Sequence, residues 1–231
     1  MGGQILRAGD CPLAPGLALI FDMDGVVVNS VPVHREAWVV FNRRYGLETT
    51  DAMQRRNDGR RNDAIVRDFF GDGLAEAEVA ARGAAKEELY REMIADRVEE
   101  ILVPGLRAFL ECHRDAPKAL ATNAEPENVA FLLDRAGLRG DFRIVLNGHQ
   151  VSHPKPHPEI YLRAASLLGT APANCIVFED SHAGVQAARA SGARVAGLLT
   201  TYGDLPGTDL NVHNFSSGDL RAWLAAQERT E

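Results

Sequence analysis

The chain has 231 residues, 45% of them hydrophobic and 25% charged. That leaves room for a large core, or for a main domain with a smaller one, and argues against a disordered or fibrous protein. A formal net charge of −7 and a pI of about 5.5 argue against a broad nucleic-acid surface, which needs a basic stripe.

The N-terminal stretch "MGGQILRAGDCPLAPG" lacks the apolar segment of a secretory signal. Leu6 stands where a myristoylation motif requires Ser or Thr. No later run approaches the ~18 apolar residues of a membrane span. Cys11, Cys112 and Cys175 are scattered and fit neither a disulfide framework nor a zinc motif. The expected setting is therefore a reducing cytoplasm, with no membrane and no nucleic acid as partner.

The first predicted strand is "LALIF" (17–21), which runs straight into Asp22, Asp24 and Gly25. From Val33 to about Glu100 only helical patterns follow: "HREAWVVFNRRYG", "NDAIVRDFFG" and "AEAEVAARGAAKEELYREMIADRVEE". "VPGL" (103–106) is expected to return the chain to a sheet built from "KALAT" (118–122), "RIVLN" (143–147), "CIVFED" (175–180) and "RVAGLL" (194–199). None of these runs alternates cleanly, as expected for strands buried on both faces. Between them lie the helical patterns "PENVAFLLDRAGL", "PEIYLRAASLLG" and "HAGVQAARASG". Pro126 and Pro158 sit near their starts, and Gly137, Gly169 and Gly192 at their ends. A terminal helix, "DLRAWLAAQ", is expected to pack Leu220, Trp223 and Leu224 onto the core.

Strand alternating with helix implies right-handed crossovers and an α/β, doubly wound parallel sheet of Rossmann type. The expected organisation is a core of residues 1–30 and 101–231, with a small all-helical cap of residues 31–100 inserted after the first strand.

Ligands of open α/β sheets sit beyond the carboxyl ends of the strands. Asp22 and Asp24 stand at such an end, two apart and facing the same way. A plain turn is the bland reading of Asp24-Gly25, and an EF-hand is excluded because the glycine comes too early. Two adjacent carboxylates need a cation, or one must hold a proton. Further candidates close other strands: Thr122 and Asn123 after "KALAT", and Glu179 and Asp180 in "CIVFED". Lys155 lies between prolines in "SHPKPHP". Taken singly, Thr122 also reads as a turn hydroxyl, Lys155 as a loop lysine, and the acids as caps for the next helix. Their common placement at one sheet edge favours a site. His149, His153 and His157 flank Lys155 without regular ligand spacing or a nearby cysteine, so they are not read as a metal centre.

Asp22-x-Asp24-Gly25-Val26, Thr122-Asn123, Lys155-Pro156 and Glu179-Asp180, in that order, resemble the four motifs of the haloacid dehalogenase-like superfamily. The resemblance runs from Leu17 to about Gly207. The helical insertion and the run from Asn29 to Trp38, Asn-Ser followed by His34 and Ala37-Trp38, are similar to the β-phosphoglucomutase-like subfamily.

The resemblance implies Mg²⁺, an aspartyl-phosphate on Asp22, and Asp24 as acid and base. It implies metal ligands from Asp22, the main chain of Asp24 and Asp180, with Glu179 as a ligand or an outer partner through water. Thr122 and Lys155 would hold the transferring phosphoryl group. His34, Arg61, Lys86 and Asn123 fall at substrate-binding positions, although His34, Arg61 and Lys86 also read as ordinary helix residues. The expected activity is Mg²⁺-dependent hydrolysis of a small phosphorylated metabolite, such as a sugar phosphate. The alternative is a β-phosphoglucomutase interconverting β-glucose 1-phosphate and glucose 6-phosphate. Glu125 and Glu127 tilt toward hydrolysis, because acids disfavour a second phosphate there. A non-catalytic module on this fold should have lost one of Asp22, Asp24, Lys155 or Asp180, and all are present. The sequence leaves the oligomeric state open.

Overall fold

The computed structural model describes residues 13–57 and 60–229. A six-stranded parallel sheet has the order β3-β2-β1-β4-β5-β6, from β1 (Ala18–Phe21), β2 (Lys118–Ala121), β3 (Ile144–Leu146), β4 (Cys175–Glu179), β5 (Arg194–Leu198) and β6 (Leu210–Val212). It is a doubly wound α/β sheet. The chain builds outward from β1 to β3, then crosses back to lay β4 on the other side of β1, so the topological switch lies at β1.

The runs fail to alternate because both faces of the sheet are covered. In β1, Leu19 and Phe21 enter one apolar cluster with Ile176 and Phe178, while Ala18 and Ile20 enter the opposite one with Cys175 and Val177. Phe21 stacks on Phe178 at 4.8 Å between ring centres. Each such fully buried side chain contributes about 1.5–3 kcal/mol, which fixes the register that sets the site. Phe21 pairs with Leu120 on one side and Phe178 on the other, so the residues after these positions emerge together.

Four helices follow β1: α1 (Val31–Arg43), α2 (Asp51–Asn57), α3 (Asn62–Phe70) and α4 (Glu76–Ile94). Their outer halves share a separate cluster of Trp38, Phe41, Ile65, Val66, Phe69 and Val79. The near ends of α1 and α4 belong to the main core through Val33, Ala37, Tyr90 and Ile94. The two passes between helices and sheet are tied together: Asn29 N–H donates to Ile101 O at 2.6 Å and Val103 N–H to Val27 O at 3.1 Å.

"VPGL" does not lead directly to a strand. It opens α5 (Leu106–Cys112), and β2 comes after it. The remaining helices are α6 (Pro126–Ala136), α7 (Glu159–Leu168), α8 (His182–Ser191) and α9 (Gly218–Ala225). In α9, Leu220 and Leu224 are buried and Trp223 packs against the core partly buried. Cys175 is a free buried thiol, but Cys112 is disulfide-bonded, which corrects the expectation of no disulfide. Cys11 lies outside the described residues. Among the described residues, no helix is long and apolar enough to cross a membrane.

Candidate active site

The ends of β1, β2 and β4 place three groups of polar residues side by side. Asp22 N–H continues the ladder to Phe178 O at 3.0 Å, which holds its carboxylate at the strand mouth. The chain then turns at Gly25, whose φ of 79° suits glycine. A Cβ there would lie 1.9 Å from Asp180 Oδ2, so this close approach of β1 and β4 requires glycine.

Lys155 is buried at the centre. Its Nζ donates to Asp22 Oδ1 at 2.8 Å and Glu179 Oε1 at 2.7 Å. Its N–H donates to Asn123 Oδ1 at 3.3 Å, so Asn123 steadies the lysine loop. Glu179 is saturated: Oε1 also accepts from the Tyr161 hydroxyl at 2.5 Å. Oε2 accepts from Asp180 N–H at 3.0 Å, Ser181 N–H at 3.2 Å and the Ser181 hydroxyl at 3.1 Å. Asp180 Oδ2 accepts from the Thr201 hydroxyl.

Three buried carboxylates thus face one ammonium. Burial pushes the Asp22 carboxyl up to about 7, with Lys155 opposing and the Glu179 charge adding. Burial, then Glu179 and Asp22, raise Asp180 well above the usual carboxylate range. For Lys155, burial pulls downward, but the charges of Asp22 and Glu179 outweigh it and the pKa is raised. Ligand atoms of Asp22, Glu179 and Asp180 lie within 4.8 Å of one another. An all-oxygen donor set with surplus negative charge fits a hard divalent cation.

Asp24 lines the same cavity and is held from the side of the helices. Its Oδ1 accepts from the Ser30 hydroxyl at 2.5 Å and lies 3.6 Å from His34 Nε2. Burial raises its pKa, but hydrogen bonds from His34 and Ser30 outweigh that and hold it below the ordinary value. His34 stacks on Tyr90 at 3.7 Å, and its Nδ1 lies 3.0 Å from Lys86 Nζ. An ammonium only donates. Nδ1 is therefore the acceptor, and the ring proton sits on Nε2, toward Asp24.

Of the predicted site residues, all but Glu179 line one cavity: Asp22, Asp24, His34, Arg61, Lys86, Thr122, Asn123, Lys155 and Asp180. Lys86 is no solvated helix charge; it is buried and paired with Glu87 Oε1 at 2.5 Å. Sequence reasoning missed Glu87, Ser30, Tyr161, Thr201 and Asn128. The one signal for Glu87 was its place beside Lys86 in an otherwise charged helix. His149 pairs with Glu125 at 2.7 Å. Ligand atoms of His153, His157 and Glu159 come within 4.8 Å of one another at the surface, where Glu159 caps the Ser152 and His153 N–H groups.

The chain belongs to the haloacid dehalogenase-like hydrolase family, whose model matches residues 17–192. Fructose-1-phosphate phosphatase YqaB of Escherichia coli (strain K12) is 34% identical over 174 residues, 75% of this chain and 92% of that protein. The β-phosphoglucomutase of Bacillus subtilis (strain 168) is 27% identical over 188 residues, 78% of this chain and 82% of the relative. The crystal structure of β-phosphoglucomutase from Clostridium difficile superposes with a TM-score of 0.80 at 22% identity, covering 90% of this chain and 96% of that one, and so shares the fold.

Proposed function

We propose that this chain hydrolyses the phosphate monoester of a small hydroxylated metabolite, such as a sugar phosphate, through an aspartyl-phosphate on Asp22. The observation that carries the reading is the Lys155 ammonium, 2.8 Å from Asp22 Oδ1, in a cavity that Asp24 and Asp180 also line. A carboxylate needs no base to become a nucleophile. Asp22 Oδ attacks phosphorus while the bond to the leaving oxygen breaks, and Asp24 delivers a proton to that oxygen. Water then attacks the aspartyl-phosphate, Asp24 takes its proton, and inorganic phosphate leaves.

At rest Asp24 is in its basic form, the state required for the second half. A phosphate dianion bound beside it raises its proton affinity, which loads it for the first half. Thr122 and Lys155 hold the transferring group and balance its charge.

Asp22, Asp180 and the main-chain carbonyl of Asp24 are the residues that would hold Mg²⁺. Glu179, with both oxygens engaged, would stand outside as an orienting partner. When bound, the ion supplies neutralisation of the carboxylates and a grip on a phosphate oxygen. The helices of residues 31–100 act as the cap and carry the substrate contacts, Arg61 foremost. A cytoplasmic setting stays part of the proposal; the disulfide at Cys112 counts against it.

Arg61, lining the same cavity, and the mutase relative keep β-phosphoglucomutase as the second reading. Phosphorus NMR separates the two. With Mg²⁺, β-glucose 1-phosphate and a trace of glucose 1,6-bisphosphate, a growing glucose 6-phosphate signal makes the chain a mutase. Inorganic phosphate from that hexose, or from a sugar-phosphate panel, makes it a phosphatase. Asp22→Asn abolishes either; full turnover in that variant, or turnover indifferent to a chelator, sinks the mechanism.

A further inference from the structure

Glu87 is a buried acid for which the mechanism above has no use. On α4 it is followed one turn later by Arg91, and the two grip the same amide. Glu87 Oε2 accepts from Asn128 Nδ2 at 2.6 Å, while Arg91 Nη1 donates to Asn128 Oδ1 at 2.8 Å. A carboxylate only accepts and a guanidinium only donates, so the two ends of the Asn128 amide are assigned without ambiguity. Asn128 lies in the first turn of α6, six positions after Thr122, so the grip joins the helical insertion to the loop that follows β2. The other oxygen of Glu87 accepts from Asn62 Nδ2 at 2.7 Å and from Lys86 Nζ at 2.5 Å.

These contacts form a chain toward the reacting group. Glu87 keeps the buried ammonium of Lys86 in place. Lys86 donates to His34 Nδ1, which leaves the His34 proton on Nε2, the nitrogen that faces Asp24. The Lys86 ammonium also lies over Trp38, 4.8 Å from the ring centre, a further contact that favours this position.

We infer that Glu87 is a positioning residue for proton transfer at Asp24: by gripping Asn128 together with Arg91 it seats the insertion on the core and fixes the Lys86–His34 line that orients the Asp24 carboxyl. The inference rests on the proposed phosphatase reading. Glu87→Gln is the sharp test, because every partner of the Glu87 carboxylate is a donor. Either orientation of the substituted amide sets N–H₂ against a donor, with volume and shape conserved.

A leaving group tells positioning apart from general damage. An alkyl phosphate needs its leaving oxygen protonated by Asp24, whereas p-nitrophenolate leaves well without a proton. The wild-type enzyme with Mg²⁺ is assayed on p-nitrophenyl phosphate and on fructose 1-phosphate, glucose 6-phosphate and glycerol 3-phosphate. The fastest of those three is kept as the alkyl substrate. Glu87→Gln is expected to lower kcat/KM on that substrate about tenfold or more, while kcat/KM on p-nitrophenyl phosphate stays within about twofold. That ratio covers the leaving-group step and not the later hydrolysis, for which Asp24 is the base with either substrate. Asn128→Leu, which removes the gripped amide but fills its volume, is expected to give the same split more weakly. The double variant is expected to be no worse than Glu87→Gln alone, and melting curves confirm that each variant is folded.

Equal losses in kcat/KM on both substrates, or no loss in kcat/KM on the alkyl phosphate, overturn the positioning role while leaving the phosphatase reading intact. If Glu87→Gln does not fold, Asn128→Leu decides by the same criterion. A wild-type enzyme that cleaves none of these esters overturns the phosphatase reading, and this inference falls with it.

Discussion

Lys155 Nζ lies 2.7 Å from Glu179 Oε1, and both side chains are buried. The same ammonium bonds Asp22, so one lysine balances both the acid proposed to orient and the acid proposed to react. Removing one member of a buried pair leaves the other uncompensated, at about 3–5 kcal/mol. Lys155→Met is expected to lower unfolding stability by about that amount at neutral pH in a chelator, read by urea denaturation. It is also expected to abolish phosphate release, because the charge on the transferring group loses its counterpart. An unshifted denaturation midpoint would show that the pair contributes nothing.

Chelation should also change how stability responds to pH. The Asp22 carboxyl sits at about 7 in the fold against an ordinary value of 3.8, so between these limits the folded chain holds more protons than the unfolded one. Stability of the chelated protein therefore falls as pH rises from about 4 to about 7. Asp180, raised in the same direction, adds to the trend. Glu87 acts oppositely, held at about 2 against an ordinary 4.5 because Lys86, His34 and its hydrogen-bonded partners outweigh burial. Its contribution is present above about 4.5 and is lost as pH drops toward about 2. Thermal melts in a chelator should peak near about pH 4, and excess Mg²⁺ should flatten the decline above it. A chelated protein whose melting temperature climbs from about pH 5 to 7 contradicts this account.

Gly25 joins two requirements at one position: a φ of 79° and a site for Cβ only 1.9 Å from Asp180 Oδ2. The backbone strain of Gly25→Ala alone is worth about 1–2 kcal/mol. The larger effect is on Asp180, which has to move. We expect the Mg²⁺ concentration for half-maximal activity to rise by about tenfold or more, a loss of about 1.4 kcal/mol in ion binding. Titration of phosphate release against Mg²⁺ measures it, and an unchanged midpoint would remove Asp180 from the ion site.

The sequence carried the sheet because burial on both faces leaves unbroken apolar runs such as Ala18–Phe21 and Cys175–Glu179, each ending in the acids that matter. It concealed α2 and β6 for opposite reasons. Asp51–Asn57 has little apolar stripe to betray a helix, and Leu210–Val212 is a three-residue edge strand, half-buried. The core site was legible since its groups stand at strand ends, whose positions the hydrophobic pattern reveals. Glu87, Asn128 and Thr201 were not, because each acts through a partner 20 or more positions away. On its own, Glu87 is one more acid in the charge-rich helix Glu76–Ile94.

That concealed pairing redistributes the work among the basic residues of the insertion. Lys86 has its charge met by Glu87 and its donors directed at His34 and Glu87, so it is poorly placed to bind an incoming anion. Arg61 lines the cavity; among the described residues its ion-pair partner is Asp63, a loose 3.9 Å away, and its guanidinium can turn to a substrate oxygen. Arg61→Ala is therefore expected to raise KM for a sugar phosphate by about tenfold with kcat nearly unchanged, the mark of uniform binding. Lys86→Met is expected to do the reverse, lowering kcat through His34 and Asp24 with a smaller effect on KM. Steady-state kinetics on the two variants decide the matter. If Lys86→Met raises KM alone, the lysine binds substrate directly, and the buried pair with Glu87 opens when substrate arrives.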